Sequence, residues 1–301
     1  MATAPDPDLP APTAPTAPGA PEPAVPEPGR LVVASFNLHA GIDGWGRPFD
    51  TVAVLAGLDA DLIAVQEDWI PDDGPGLAAT AAAALGYTVF EHSLAHGRLA
   101  GPHPRADHRW MRPLDWRGSS HAIYLDDNRP LGPRTRRSAR FVQARPGRWG
   151  IAVLSRLPVT DHRVVTLEPL PRDRSGRGAV VVRVDAGGRP VTVVGTHMSH
   201  LSYGSPRHYR ALGRRLREEV GDGPAVLAGD MNLWGPPVGI LLGDWRRTVK
   251  GRTWPAWRPH SQVDHILVRG SVRVLGGEVL PMAGSDHRPV RVALAVPADP
   301  P

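Results

Sequence analysis

The 301-residue chain contains no cysteine, which excludes disulfides, thiolate metal sites and cysteine nucleophiles together. Any bound metal must be held by oxygen or imidazole ligands, a donor set that favours Mg²⁺, Mn²⁺ or Ca²⁺ over zinc. Lysine is almost absent as well, Lys250 standing alone among 35 basic residues. No stretch has the unbroken apolar length of a membrane span. The first base is Arg30, so the start of the chain has neither the basic region nor the apolar core of a signal peptide. A cytoplasmic protein is the expectation.

Proline and glycine are plentiful instead, at 34 and 33 residues. Residues 1–29 are Ala, Pro and Thr with four acids and no base, a composition with too little apolar surface to bury. They read as a disordered, partly polyproline-like tail ahead of one large domain over residues 30–298. The net charge is +5, so the part after the tail carries +9. A basic balance suits an anionic partner such as nucleic acid. The arginine excess, alongside abundant Ala, Pro and Gly, equally fits a compositional bias, which weakens that inference.

The chain is organised around Val226-Leu227-Ala228-Gly229-Asp230-Met231-Asn232. Its apolar run suits a strand covered on both faces. Gly229 permits a turn or close approach, and Asp230 and Asn232, two apart, point the same way from an extended backbone. Other expected strands cover residues 31–37, 62–67, 87–90, 149–155, 164–167, 179–184, 191–195, 262–268, 272–279 and 290–296. Ala186-Gly187-Gly188-Arg189 joins two of them as a hairpin. Helices are expected after Asp50, over 77–85 before Gly86, and from Ser205-Pro206 to about Val220. Strands outnumber helices and several are apolar on both faces, which predicts an α/β fold of two packed sheets with helices outside, a four-layer sandwich. Residues 96–148 are irregular and rich in Arg, His and Trp. They read either as a cationic, aromatic-bearing surface over the site or as a solvated insertion.

Six strand ends or adjacent turns carry a group suited to phosphate-ester chemistry: Asn37, Glu67, His197, Asp230 with Asn232, Asp264 with His265, and Asp286 with His287. Each alone is an ordinary cap or surface residue. Six such ends exceed what folding requires, and ligand sites in α/β sheets lie beyond the carboxyl ends of strands.

These segments resemble the endonuclease/exonuclease/phosphatase superfamily, the DNase I-like metal-dependent phosphoesterases. The likeness runs from Leu31 to about Val296 through Ser35-Phe36-Asn37, Val65-Gln66-Glu67, Gly150-Ile151-Ala152-Val153-Leu154-Ser155-Arg156, Gly195-Thr196-His197, Gly229-Asp230-Met231-Asn232, Val263-Asp264-His265 and Gly284-Ser285-Asp286-His287. The Gly-Asp-x-Asn and Ser-Asp-His elements in that order carry most of its specificity. The resemblance implies Mg²⁺, with Mn²⁺ as a substitute, on Glu67 with Asn37 beside it and Asp286 completing the site. It implies that Asp230 orients or deprotonates water, and that Asn232 and His197 bind substrate by donating to phosphate oxygens. His287 would stand at the scissile phosphate, held by Asp264. Two departures stand out. A Tyr or second Glu found midway in many nuclease members has no counterpart that can be placed, and His39 stands where several members have an acid. His39, like His200 and His265, reads better as structural than as a ligand.

A phosphodiesterase acting on nucleic acid is therefore expected. The alternative is a phosphatase or phosphodiesterase of a small or lipid phosphate, of inositol phosphate or sphingomyelin type. A binding module that had lost the chemistry would be expected to lack Glu67, Asp230, Asp286 or His287, and all four are present. The oligomeric state is not readable from the sequence.

Overall fold

The computed structural model describes residues 29–101, 123–126 and 131–297. The expected tail, apart from Gly29, and the His103–Arg117 part of the Arg/Trp-rich stretch lie outside the described residues.

Thirteen strands and six α-helices are described, in the order β1 (Arg30–Asn37), α1 (Thr51–Gly57), β2 (Leu62–Pro71), α2 (Leu77–Leu85), β3 (Thr88–Leu99), β4 (Ile123–Leu125), α3 (Pro133–Arg136), α4 (Ala139–Val142), β5 (Arg145–Ser155), β6 (Val159–Leu167), β7 (Arg177–Asp185), β8 (Pro190–His197), α5 (Ser205–Val220), β9 (Ala225–Asp230), α6 (Gly235–Leu241), β10 (Arg246–Arg247), β11 (Asp264–Arg269), β12 (Arg273–Val279) and β13 (Val290–Ala295). They form two mixed sheets, ordered β12-β13-β1-β2-β5-β3-β4 and β10-β11-β9-β8-β7-β6.

Strand periodicity explains the layering. In β1, Leu31 and Val33 face the second sheet, while Ala34 and Phe36 face Leu55 of α1 and Ala78, Ala81 and Ala82 of α2. In β9, Val226 and Ala228 face the first sheet and Ala225 and Leu227 face Tyr209, Leu212 and Leu216 of α5. The central strands are apolar on both sides because each is covered on both sides. The result is the four-layer sandwich that the sequence predicts.

Local signals set most boundaries. Asp50 caps α1 by accepting from the Ala53 amide, and Gly86 ends α2 in the left-handed conformation. The Gly187-Gly188 turn between β7 and β8 has positive φ at both residues, as a two-residue hairpin with right-handed twist requires. Two expectations shift. Helix α5 already includes Ser205, with Gly204 at the N-cap position. Strand β3 extends to Leu99, well past Phe90, and pairs with β5 through Gly97 opposite Gly147. A Cβ on Gly97 would meet the Tyr124 carbonyl at 2.4 Å, and one on Gly147 the Ile70 carbonyl at 2.6 Å. Close strand packing selects glycine there and erases the β-branched signal that marks a strand.

Register brings the polar strand ends together. The parallel β1–β2 ladder ends with Asn37 opposite Gln66, but β2 itself continues to Pro71, so Glu67, expected at a strand end, lies inside the strand at its bulge. Parallel β8 and β9 end with His197 opposite Asp230, and antiparallel β11 begins with Asp264 opposite Asp230. The approach of β8 to β9 depends on Gly229, whose added Cβ would lie 2.0 Å from the Thr196 carbonyl oxygen. Gly229→Ala is expected to cost about 1–3 kcal/mol by overpacking, read as a lower denaturant midpoint. Gly57→Ala, where a Cβ meets nothing within 4 Å, should be neutral or stabilise by about 0.5–1 kcal/mol. Equal midpoints for the two variants would contradict this packing account.

Candidate active site

Glu67 reaches the site through a distortion of its strand. The β2–β5 register slips between Gln66 and Asp68, leaving Glu67 as an extra residue with φ +54°. A bulge of this kind re-aims a side chain, and a left-handed backbone at a non-glycine residue costs on the order of 1–3 kcal/mol. Asn232 (φ +49°) and His39 (φ +47°) share that conformation. Three non-glycine residues at one site thus hold an unfavourable backbone, the usual signature of function rather than folding.

Asn37 joins the two sheets. Its Nδ2 donates to Glu67 Oε1 and to Asp230 Oδ2, both at 3.1 Å, while its Oδ1 accepts from the His39 amide at 2.9 Å. As oriented, the amide is a spacer between two carboxylates. Asp230 Oδ1 accepts from the Asn232 amide at 2.8 Å, which shapes the turn after β9. That turn is fixed from behind by Tyr209 of α5, whose hydroxyl donates to the Met231 carbonyl.

Across from Asp230 stands His287. Its Nδ1 donates to Asp264 at 2.9 Å, and its Nε2 lies 3.8 Å from Asp230 Oδ2. Burial opposes charge on this ring, but Asp264, Asp286 and Asp230 outweigh it and hold the pKa well above 6.5. Burial and the nearby Asp264 charge raise Asp230 to about 7, against the opposing pull of His287 and the Asn232 amide. Asp286 goes the other way. Burial works against its ionisation, yet His39, His287, Trp254 and Ser285 keep its pKa below the usual value. His39 Nδ1 is 3.5 Å from Asp286 Oδ1, and Trp254 Nε1 donates to Asp286 Oδ2 at 3.3 Å.

His197 is neutral in this setting. Burial, the Arg177 guanidinium and the His287 cation lower its pKa well below 6.5. Asn232 Nδ2 donates to His197 Nε2 and to the Met198 carbonyl, both at 3.0 Å. Both Asn232 N–H groups are therefore engaged, and a phosphate oxygen would have to displace one of them. The His197 ring proton then sits on Nδ1, which has no hydrogen-bond partner among the described residues.

All eight sequence-derived site residues thus lie at one end of the sandwich. His265 turns away to donate to the Leu233 carbonyl, and His200 accepts from the Ser202 amide. The sequence reading missed Trp254 and the buried Arg177. Arg177 is paired with Asp173 at 2.9 Å and stacks 5.2 Å over Trp149, whose ring lies 5.0 Å from that of His197. Neither follows a motif: Trp254 returns to the strand ends on a loop, and Arg177 opens β7, where the strand pattern does not mark it.

The donor set fits a hard divalent cation: carboxylates at Glu67, Asp286, Asp230 and Asp264, with an amide and imidazoles and no sulfur. Ligand atoms of Asp230, Asp264 and His287 lie within 4.8 Å of one another and form one possible cluster. In that trio the Nδ1 position is already taken by Asp264, which favours the remaining carboxylates as the resting place of a cation.

Two mixed sheets of seven and six strands with flanking helices make an α/β sandwich of the DNase I-like class. The Endonuclease/Exonuclease/phosphatase family profile matches residues 34–287, and the chain belongs to that family, whose members are phosphoester hydrolases, generally dependent on divalent metal. Similar solved structures include an endonuclease/exonuclease/phosphatase from Beutenbergia cavernae (22% identity, 89% of this chain and 72% of that one, TM-score 0.58). Others are the mannosyl-6-phosphatase of Bacteroides thetaiotaomicron (16%, 88% and 100%, 0.58) and D. rerio TDP2 complexed with single-strand DNA product (14%, 89% and 99%, 0.55). At these identities the likeness concerns the fold. No curated protein matches the sequence.

The electrostatics predict two contrasting histidines. By ¹⁵N NMR, His287 should stay doubly protonated at neutral pH while His197 stays neutral well below pH 6.5. Asp264→Asn removes the strongest influence favouring the His287 cation and should bring its titration down. Both rings titrating near 6.5 in the wild type would contradict the geometry.

Proposed function

We propose that the chain is a divalent-metal-dependent phosphodiesterase, most suited to nucleic acid. The observation that carries this reading is the line Asp264–His287–Asp230 set against the Asn37–Glu67 pair. It offers a cationic imidazole, a carboxylate of pKa about 7 and hard oxygen donors that in this reading would serve one position. A phosphorus centre under attack by water needs those three kinds of group.

Glu67 and Asp286 would hold the cation, with Asn37 setting the spacing of Glu67 from Asp230. When bound, Mg²⁺ or Mn²⁺ supplies polarisation of a phosphate oxygen and offsets its developing charge. Asp230 accepts a proton from the attacking water, its pKa near 7 matching a general base at neutral pH. His287 donates from Nε2 toward a phosphate oxygen while Asp264 fixes the ring. Asn232 and His197 border the same position, and a non-bridging oxygen would compete for the Asn232 amide now given to His197.

A small or lipid phosphate ester is the second reading. It is favoured by exposed apolar side chains on the segments that follow β8 and β9: Leu201 and Tyr203, then Trp234 at 55% and Ile240 of α6 at 81% exposure. Among the described residues no helix is long and apolar enough to cross a membrane.

Asp230→Asn and His287→Ala should each lower turnover by about 10²–10⁴-fold with circular dichroism unchanged. EDTA should silence the wild type, and Mg²⁺ or Mn²⁺ should restore it. The assay is a panel of plasmid DNA, abasic duplex, single-stranded RNA, inositol phosphate and sphingomyelin. Turnover indifferent to chelation, or retained by both variants, would remove the basis of this reading.

A further inference from the structure

Two loops outside the catalytic reading converge beside Asp286 and build an aromatic wall. The first follows His39, which itself contacts Asp286. In it Asp43 Oδ1 accepts from the amides of Trp45 (2.8 Å) and Arg47 (2.9 Å), and Asp43 Oδ2 pairs with the Arg47 guanidinium at 2.7 Å. The second loop is tied to the Asp286 turn by three hydrogen bonds: Ala256 N to the Asp286 carbonyl (2.7 Å), Arg288 N to the Thr253 carbonyl (2.9 Å) and Arg288 Nε to the Ala256 carbonyl (2.8 Å).

The two loops meet through tryptophan. The rings of Trp45 and Trp257 lie 5.6 Å apart at 51°. Trp257 packs so closely on Gly44 that a Cβ there would lie 2.2 Å from its ring. The Arg47 guanidinium sits 4.8 Å over Trp45, and the Arg47 side chain is 45% exposed. Both tryptophans are half-buried, held by backbone contacts yet still reachable, and Trp254 continues the wall onto Asp286 itself. The sequence beside it is one-sided in charge: residues 250–263 hold Lys250, Arg252 and Arg258 and no acid.

We propose that Trp45 and Trp257, with Arg47, form a stacking site for a base of single-stranded nucleic acid whose backbone phosphate lies at Asp230 and His287. This rests on the phosphodiesterase reading and narrows its substrate. A rigid π-face with an adjacent guanidinium is the usual way to hold an unpaired base without reading its identity, and the cations of 250–263 match a polyanion running past it. A base stacked in a duplex presents its face to such a wall only if it is flipped out, so an unpaired strand meets the wall at the lowest cost.

The test compares dodecathymidylate with a base-free backbone of equal length and charge. Binding is read by fluorescence anisotropy in Mg²⁺ on the full chain carrying Asp230→Asn, and cleavage is read on the wild-type catalytic background. Stacking of one or two bases should make the thymidylate bind about 5- to 100-fold more tightly. Trp45→Ala should bring that ratio close to one, and Trp45→Phe should restore most of it. Trp257→Phe, a smaller change, should lower the ratio even if Trp45→Ala fails to fold. A wild-type ratio near one, or a ratio unmoved by Trp45→Ala and Trp257→Phe, overturns the stacking site. Binding to phosphatidylserine vesicles but to neither oligonucleotide also overturns it, in favour of the apolar rim at Trp234 and Ile240. Base-dependent binding that is lost in Trp45→Ala, with turnover of no substrate in the full panel, would sustain the stacking site and overturn the hydrolase reading alone.

Discussion

Repulsion between the buried carboxylates of Asp230 and Asp264, offset by the His287 ring beside both, is the constraint on this end of the sandwich. Asp230, Asp264 and Asp286 are all at most 5% exposed, and each influences the ionisation of the His287 ring. Two unit charges 4 Å apart repel by about 4 kcal/mol at an effective dielectric of 20, so such a cluster is tenable only if a cation or a proton resides in it. The fold supplies one cation in His287 and lets Asp230 keep its proton to about pH 7. The remaining negative potential is what a divalent metal would satisfy. Stability and chemistry are opposed here: replacing the acids with apolar residues would relieve the strain and abolish the site.

The sandwich makes that opposition possible. Parallel strand pairs from each sheet end at the same level, so Asn37 and Glu67 from one sheet face His197 and Asp230 from the other. The inward faces of β1, β2, β8 and β9 are Val, Leu and Ala up to the buried Ser35–Gln66 pair beside the site, which fixes the strand ends relative to one another. Local irregularities then aim the side chains: the bulge at Glu67, the Asx turn at Asp230 and the left-handed Asn232. Specificity lies in the loops that these ends support, because this fold hosts many substrates.

Most of the frame was legible in the sequence because each central strand is a short apolar run bounded by turn residues, and because glycines at 86, 187 and 188 serve their usual conformational roles. The candidate site was legible because Asn37, His197 and Asp230 end strands, Asp264 begins one and Asp286 and His287 lie in the turn before one; Glu67, expected at a strand end, sits at a bulge inside β2. What escaped has a common physical origin. Strand β3 beyond Phe90 is held by glycine–glycine pairing that carries no strand propensity. Trp254 and Trp257 reach the site from a loop, where no periodicity records direction, and Arg177 opens β7, where spacing gives no sign of its approach to His197. The orientation of the Asn37 amide, nitrogen toward Glu67 and Asp230, depends on the His39 amide two residues on. That is a tertiary detail invisible to spacing.

The central claim is that Glu67 and Asp286 hold the cation while Asp230, Asp264 and His287 handle protons. Anomalous diffraction from crystals soaked in Mn²⁺ tests it most directly. The account predicts one strong peak within bonding distance of Glu67 and Asp286, with the His287–Asp264 hydrogen bond intact. A peak coordinated by Asp230, Asp264 and His287, with that hydrogen bond broken, would contradict it.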